Sequence, residues 1–404
     1  MASDYAPKPF LRQAENKLLQ EYFGRKALLP NIDWDNLGET DVDAIFDGWE
    51  ALPQQNRVEI ESDFQLVFDL ASEDGTRILI EEGRFQGIDL KPALDSREGF
   101  LNKSLFVFLE HRGVFEVAYD FDRADNLNRR SWKKRRGLPR KEPDLSLQAR
   151  DELRDAVAAY FRERQGRGRH CHLDVYLRWD RCHYFFVYPQ DYTSTTIEFD
   201  SKGRFQRRPQ SPAFEVIYVY DPVEGALELY ARGKRELKED LQKIFSRSIL
   251  HENLPKEDRN APPYELNLLK RRSFAFPTDP ADGIREVRIR ELKLSVIGNY
   301  RHRIALEVSP DGPADEIYDF MDRVLNSEAL PLTLVDVRSA VIQMRFNNND
   351  GRGGDVKTIS FRISCPDSCN LKDKPEHIIA RKYLKKWDIE RGEHSLADTV
   401  ESGG

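Results

Sequence analysis

Eight cationic side chains and no carboxylate lie between Asn128 and Lys141: Arg129, Arg130, Lys133, Lys134, Arg135, Arg136, Arg140 and Lys141, with Trp132 among them. Each Lys or Arg that neutralises a nucleic-acid phosphate releases a condensed counterion, and an indole can stack on an exposed base. A cation-rich, carboxylate-free run with one aromatic therefore suits a nucleic acid, DNA or RNA. Gly137 and Pro139 interrupt any helix here, so the stretch reads as a loop or arm that senses charge and shape. Arg167 and Arg169, in Gly166-Arg167-Gly168-Arg169, extend the candidate set. Other readings stand beside this one. The run is also what an inert solvated linker, a nuclear localisation signal or an arm docking on an acidic protein surface would show, and that surface could be the chain's own N-terminal part.

A second cationic feature comes from alternation. If Ile289, Leu294, Ile304, Leu306, Met344, Phe346, Ile359, Phe361 and Ile363 face a core, then Arg288, Lys293, Arg303, Arg345 and Arg362 share the opposite sheet face. Such a face can follow a phosphate backbone, although long charged side chains are ordinary on a solvated strand. Nearby, Asn347-Asn348-Asn349-Asp350-Gly351-Arg352-Gly353-Gly354 reads as a hairpin loop.

His170, Cys171, His172, Cys182 and His183 invite comparison with a zinc site, as do Cys365 and Cys369. Structural zinc takes four ligands delivered as close pairs, and only Cys365/Cys369 makes such a pair. A turn at Trp179–Arg181 places Cys182 opposite about Leu177 and leaves Cys171 several residues away, so no metal or other cofactor is expected. A metal-dependent nuclease would need carboxylates converging at strand ends. Asp200, Asp221 and Asp336 are the candidates for that alternative, but Asp221 and Asp200 each fit a turn. The chain has no G-x-S-x-G, P-loop or Rossmann glycine signature, so no catalytic residue is assigned and an enzyme is the less favoured class.

The elements that must position these residues change period along the chain. Up to residue 125 the apolar spacing is helical: Leu11, Leu18 and Tyr22; Ile45, Trp49 and Leu52; Ile60, Phe64, Val67 and Ala71; then Leu101, Leu105, Phe108 and Phe115, with Gly113 as a weak point. A further helix over 145–164, carrying Leu153, Val157 and Tyr160, ends at Gly166. Hairpins follow at 170–188 about Trp179-Asp180-Arg181 and at 214–232 about Asp221–Gly225, with another strand over Thr193–Phe199. A helix then carries Leu237, Leu241, Ile244 and Ser248. A short strand is expected near Tyr264–Leu269.

Beyond residue 284 the pattern gives strands at 285–297, 302–308, 332–346 and 357–365 and helices at 314–326 and 376–387. The alternation in the first of these strands slips near Arg290-Glu291, as a β-bulge would require. The expected organisation is an α+β multidomain chain: a helical N-terminal domain (1–125), a basic arm (126–145), two small mixed α+β units with mainly antiparallel sheets (146–250 and 284–390) joined by a linker (251–283), and a frayed tail (391–404).

Charge follows the same division. Residues 1–125 hold 13 Lys+Arg against 26 Asp+Glu, while residues 126–170 hold 14 against 6. An acidic domain beside a basic stretch suggests shielding of a basic site or faces for two partners. At 404 residues the chain is long enough for two or three cores. No apolar run reaches the roughly 20 residues needed to cross a bilayer and the N-terminus lacks signal-peptide design, so no membrane association and a cytosolic location are expected. Four cysteines in the whole chain fit a reducing compartment.

Overall fold

The computed structural model describes residues 5–128, 131–200, 203–254, 264–326, 328–347, 357–365, 368–371 and 374–391. In chain order the elements begin with α1 (Pro7–Gln13), α2 (Asn16–Arg25), α3 (Asp43–Glu50), α4 (Gln54–Asp69), α5 (Glu73–Phe85), α6 (Lys91–Asp95), α7 (Phe100–Glu110) and α8 (Arg112–Asn126). Then come β1 (Trp132–Arg135), α9 (Leu147–Gln165), β2 (Cys171–Arg178), β3 (Cys182–Pro189), β4 (Ser194–Phe199), β5 (Phe205–Gln210), β6 (Val216–Asp221), β7 (Ala226–Tyr230) and α10 (Arg235–Ile249). The remainder is β8 (Ile284–Val296), β9 (Asn299–Glu307), α11 (Glu316–Val324), β10 (Val335–Phe346), β11 (Thr358–Ser364), β12 (Ser368–Cys369) and α12 (Pro375–Lys386). The chain is thus α+β and multipart, with helices first and antiparallel sheets after them. Among the described residues no helix is long and apolar enough to cross a membrane.

Two compact units are interleaved in sequence. The first comprises Met1–Leu127, Arg140–Glu224 and Ser248–Leu250, and the second Asn128–Pro139, Gly225–Arg247 and His251–Gly404.

In the first unit the first three apolar stripes converge on Phe64 of α4, and the fourth reaches Tyr22 through Phe108. The Phe64 ring centroid lies 4.3 Å from Phe10, 4.7 Å from Tyr22 and 5.7 Å from Trp49. Such a fully buried ring contributes several kcal/mol, since truncating one to Ala typically costs about 3–5 kcal/mol. The stripe from Leu101 to Phe115 runs over two helices, α7 and α8, which part at His111 rather than Gly113. Ser146 caps α9 by accepting from the Ala149 N–H at 3.2 Å, and Gly166 ends it in the left-handed conformation at φ 71°.

Strands β6, β3 and β2 lie side by side and antiparallel. Tyr184, Phe185, Phe186 and Val187 of β3 are all buried because both faces are covered. Phe121 of α8 meets Tyr184 and Phe186 on one face, while α9 packs on β2 and β3 where Cys171 lies beside Arg154 and Asp155.

In the second unit β12, β11, β10, β8 and β9 form an antiparallel sheet in that order. Val341 pairs with Glu291 and the next residue, Ile342, with Ile289, so Arg290 is the extra residue of a bulge where the alternation slips. Ile289, Leu294, Met344, Phe361 and Ile363 join Tyr383 and Leu384 of α12 and Trp387 at its C-cap in the core. The strand expected near Tyr264–Leu269 is instead a 3-10 helix, Leu266–Lys270, preceded by a single bridge from Tyr264 to Glu390. Tyr318 of α11 fixes that helix by donating to the Leu269 carbonyl at 3.1 Å.

Candidate nucleic-acid interface

The basic stretch is not a free loop where it is described. Trp132–Arg135 forms β1, antiparallel to β7, with Trp132 across from Tyr230 and Lys134 across from Glu228. Strand alternation turns Lys133 and Arg135 inward, where they are 5% and 6% exposed. A buried ammonium is tolerated only with a partner. Lys133 Nζ lies 3.4 Å from Glu239 of α10, Lys134 Nζ lies 3.4 Å from Glu228, and Arg136 pairs with the buried Glu390 and donates to the Arg391 carbonyl at 2.9 Å. Arg235 and Lys133 together hold the Glu239 carboxyl below its usual range. The counter-charges therefore come from Glu228, Glu239 and Glu390, distant in sequence and invisible to a local count. Arg129 and Arg130 lie outside the described residues.

On the expected cationic sheet face in the second unit, Lys293, Arg345 and Arg362 are paired with acids, Arg288 is buried against neutral acceptors, and Arg303 is exposed. Arg288 is 2% exposed and donates to Gln343 Oε1 at 2.7 Å and to the Gly312 carbonyl. Arg345 reaches Glu286 at 3.1 Å and Asp311 at 3.0 Å, while Glu291 takes both Lys293 at 3.2 Å and Arg362. Arg362 and Lys293 in turn hold the Glu291 carboxyl low. Asn347 ends the described part of the expected 347–354 loop; its residues 348–354 lie outside the described set.

In the first unit the remaining candidates fall at opposite ends of β3. Arg140 and Lys141 are exposed, and the Lys141 carbonyl accepts from Tyr220, which pairs with His183 at the start of the strand. Arg167 and Arg169 follow α9 at the other end, where Gly168 N–H donates to the Gln190 carbonyl at 2.8 Å. Arg167 is not presented to solvent. It bonds Asp191 at 2.7 Å and stacks 3.8 Å from the Phe214 ring centroid, which fixes the chain entering β4. Arg169 is exposed, as are Arg162 and Arg164 in the last turn of α9.

From that base rises a feature the sequence did not advertise. Strands β4 and β5 pair from Ser194↔Gln210 to Phe199↔Phe205 and form a two-stranded ribbon. Every residue of β5 is exposed, and Ile197, Phe199 and Phe205 show 64%, 63% and 55% of their surface. Tyr192 anchors the base by donating to the Gln165 carbonyl at 2.6 Å. Arg204 bonds Asp200 at 2.8 Å, Arg208 lies 3.7 Å from Glu198, and the Arg207 guanidinium lies 5.4 Å from the Phe205 centroid. The run Gln206-Arg207-Arg208-Pro209-Gln210 has no apolar residue to mark it as a strand. The usable clue was the pair of phenylalanines flanking the turn before Arg204.

The residues weighed for metal or catalytic chemistry are separated or engaged. Cys171 pairs with Pro189 and Cys182 with Arg178, at opposite ends of the β2–β3 hairpin and one position from the expected register. Burial pushes the Cys171 thiol up to about 12 and raises Cys365 and Cys369, so these thiols are not activated as nucleophiles. Asp200 accepts from Arg204, Asp221 caps its turn through the Val223 and Glu224 N–H groups, and Asp336 accepts from Asn267 at 3.2 Å. Among the described residues no group of three or more His, Cys, Asp or Glu is placed to hold a metal ion. No protein-family model, curated protein or solved structure matches this chain.

Proposed function

We propose that the protein is a cytosolic, non-catalytic nucleic-acid-binding accessory protein whose main contact is the β4–β5 ribbon with the arginines at the end of α9. The observation that carries this reading is a ribbon exposed on both faces that bears Arg204, Arg207, Arg208 and the Phe199/Phe205 pair. A two-stranded ribbon fits the major groove, about 12 Å wide, and exposed aromatic rings stack on unpaired bases. Lys133, Lys134 and Arg136 contribute less than their number suggests, because glutamates of the same unit already pair with them.

Fluorescence anisotropy with a labelled single strand and a labelled duplex, at 50 and 200 mM salt, tests it. Three phosphate contacts predict a loss of affinity of roughly 20- to 40-fold across that salt range. Changing Arg204, Arg207 and Arg208 together to Ala should remove most of the affinity and most of the salt slope. Absence of binding at low salt, or affinity indifferent to the triple variant, overturns the reading.

A protein-interaction module is the second reading, favoured by the apolar exposure of Ile197, Phe199 and Phe205. Under it, replacing these three by Ser abolishes association measured by sedimentation, and the arginine variant leaves it intact.

A further inference from the structure

A cavity of about 280 Å³ opens between α5, α8 and the β2–β3 turn, lined by Glu81, Glu82, Phe85, Phe121, Arg178 and Trp179 among others. At roughly 30 Å³ per water it has room for about nine waters, which is the scale of an amino-acid-sized molecule.

Its unusual member is Glu82. It lies four residues after Ile78 on the buried face of α5, where an amphipathic helix places an apolar side chain, and it is only 5% exposed. Gln86 donates to its Oε1 at 2.7 Å, and no described residue donates to Oε2. Burial raises its pKa against the opposing pull of the Gln86 bond and of the Arg178 charge nearby.

The obvious internal cation is already committed. Arg178 grips Asp125 through two bonds of 3.1 and 2.9 Å and is held between the rings of Phe121 and Trp179, at 4.7 and 4.3 Å from their centroids. Arg77 is committed to Glu81 at 2.7 Å, and Arg84 is exposed at the rim. Trp179 is held over the opening by its own N–H bond to Glu81, at 3.3 Å. A buried carboxylate with a spare oxygen, in an aromatic-walled space of this size, matches a positively charged ligand that brings N–H donors and a short carbon chain.

We propose that this cavity binds a small organic cation, an alkylamine or alkylguanidine, with its charged head on Glu82 and its chain against Phe85 and Trp179. The site is independent of the ribbon, so either reading can fail without the other.

Calorimetric titration of the full chain with agmatine and with putrescine tests it, sodium chloride at matched ionic strength serving as the control. Saturable heat with at least one amine is expected, with affinity falling tenfold or more in Glu82→Gln. That variant should keep its circular dichroism spectrum and unfolding midpoint, since it replaces a buried acid by a neutral isostere that can still accept from Gln86. Trp179→Ala should weaken the same binding. No saturable heat at millimolar amine, an equal effect of sodium chloride, or unchanged affinity in a folded Glu82→Gln protein overturns the proposal.

Discussion

Lys134 and Glu228 face each other across the β1–β7 pair with their charged atoms 3.4 Å apart, and Arg381 approaches the same carboxylate at 3.4 Å. One glutamate thus serves two cations in a partly buried setting, so its loss removes an ion pair from each. Glu228→Ala should lower stability by about 1–3 kcal/mol, and Lys134→Ala by less, because it leaves Arg381 to satisfy Glu228. Urea unfolding midpoints measure both. Equal stability of Glu228→Ala and the native protein would show that β1 does not depend on these charges.

Asp125 and Arg178 form a more deeply buried pair, with side chains 10% and 3% exposed. Removing one member of a buried pair leaves an uncompensated charge, which typically costs about 3–5 kcal/mol. Asp125→Ala is expected to fall in that range and Asp125→Asn somewhat below it, because the amide oxygen still accepts from the guanidinium. Thermal unfolding followed by circular dichroism reads the difference.

Asp120 of α8 supplies a pH dependence with a definite sign. Burial, with Asp174 beside it and Glu116 one turn earlier, pushes its carboxyl from an ordinary 3.8 up to about 6 against the opposing pull of Arg123. The folded state therefore holds the proton more tightly than the unfolded chain. Its contribution is present below about pH 4 and is lost as pH rises through about 6. The shift caps this loss at about 3 kcal/mol, and partial solvent access reduces it to about 1–2 kcal/mol. Asp120→Asn should exceed the native protein in stability by that amount at pH 8 and match it at pH 4. A constant difference at both pH values would remove Asp120 as the source.

Gly168 sits at φ 89° at the foot of the ribbon, and a Cβ there would lie 2.9 Å from the Ala158 carbonyl oxygen and 3.1 Å from Phe161 Cβ. Backbone strain and crowding act together, so Gly168→Ala should cost about 1–3 kcal/mol. The lowered melting temperature should be accompanied by weaker nucleic-acid affinity, because Arg169 and the bond to Gln190 shift with it.

Much of the fold was legible in local pattern. Period-two alternation located β8, β10 and β11 and even the bulge at Arg290, because one buried face forces register residue by residue. Gly166 marked the end of α9 for the equally local reason that a left-handed cap wants glycine. What escaped depended on partners far away in sequence. Nothing near Trp132–Arg135 reveals that Glu228, Glu239 and Glu390 would turn a basic run into a strand. Glycines and a paired Glu81-Glu82 concealed α5, and β5 is a strand without an apolar face. Trp179 and Asp180, at φ 57° and 51°, occupy a turn conformation normally reserved for Asn or Gly, so the hairpin was placed correctly while its strained corner was not foreseen.

The interleaving of the two units sets an order of events during synthesis. The first unit holds all its residues once Leu250 has left the ribosome, whereas Asn128–Pro139 emerges long before most of the unit to which it belongs. For that interval Trp132 and Arg136 travel without Tyr264 and Glu390, so the nascent chain carries a bare guanidinium that the finished molecule pairs with a buried carboxylate.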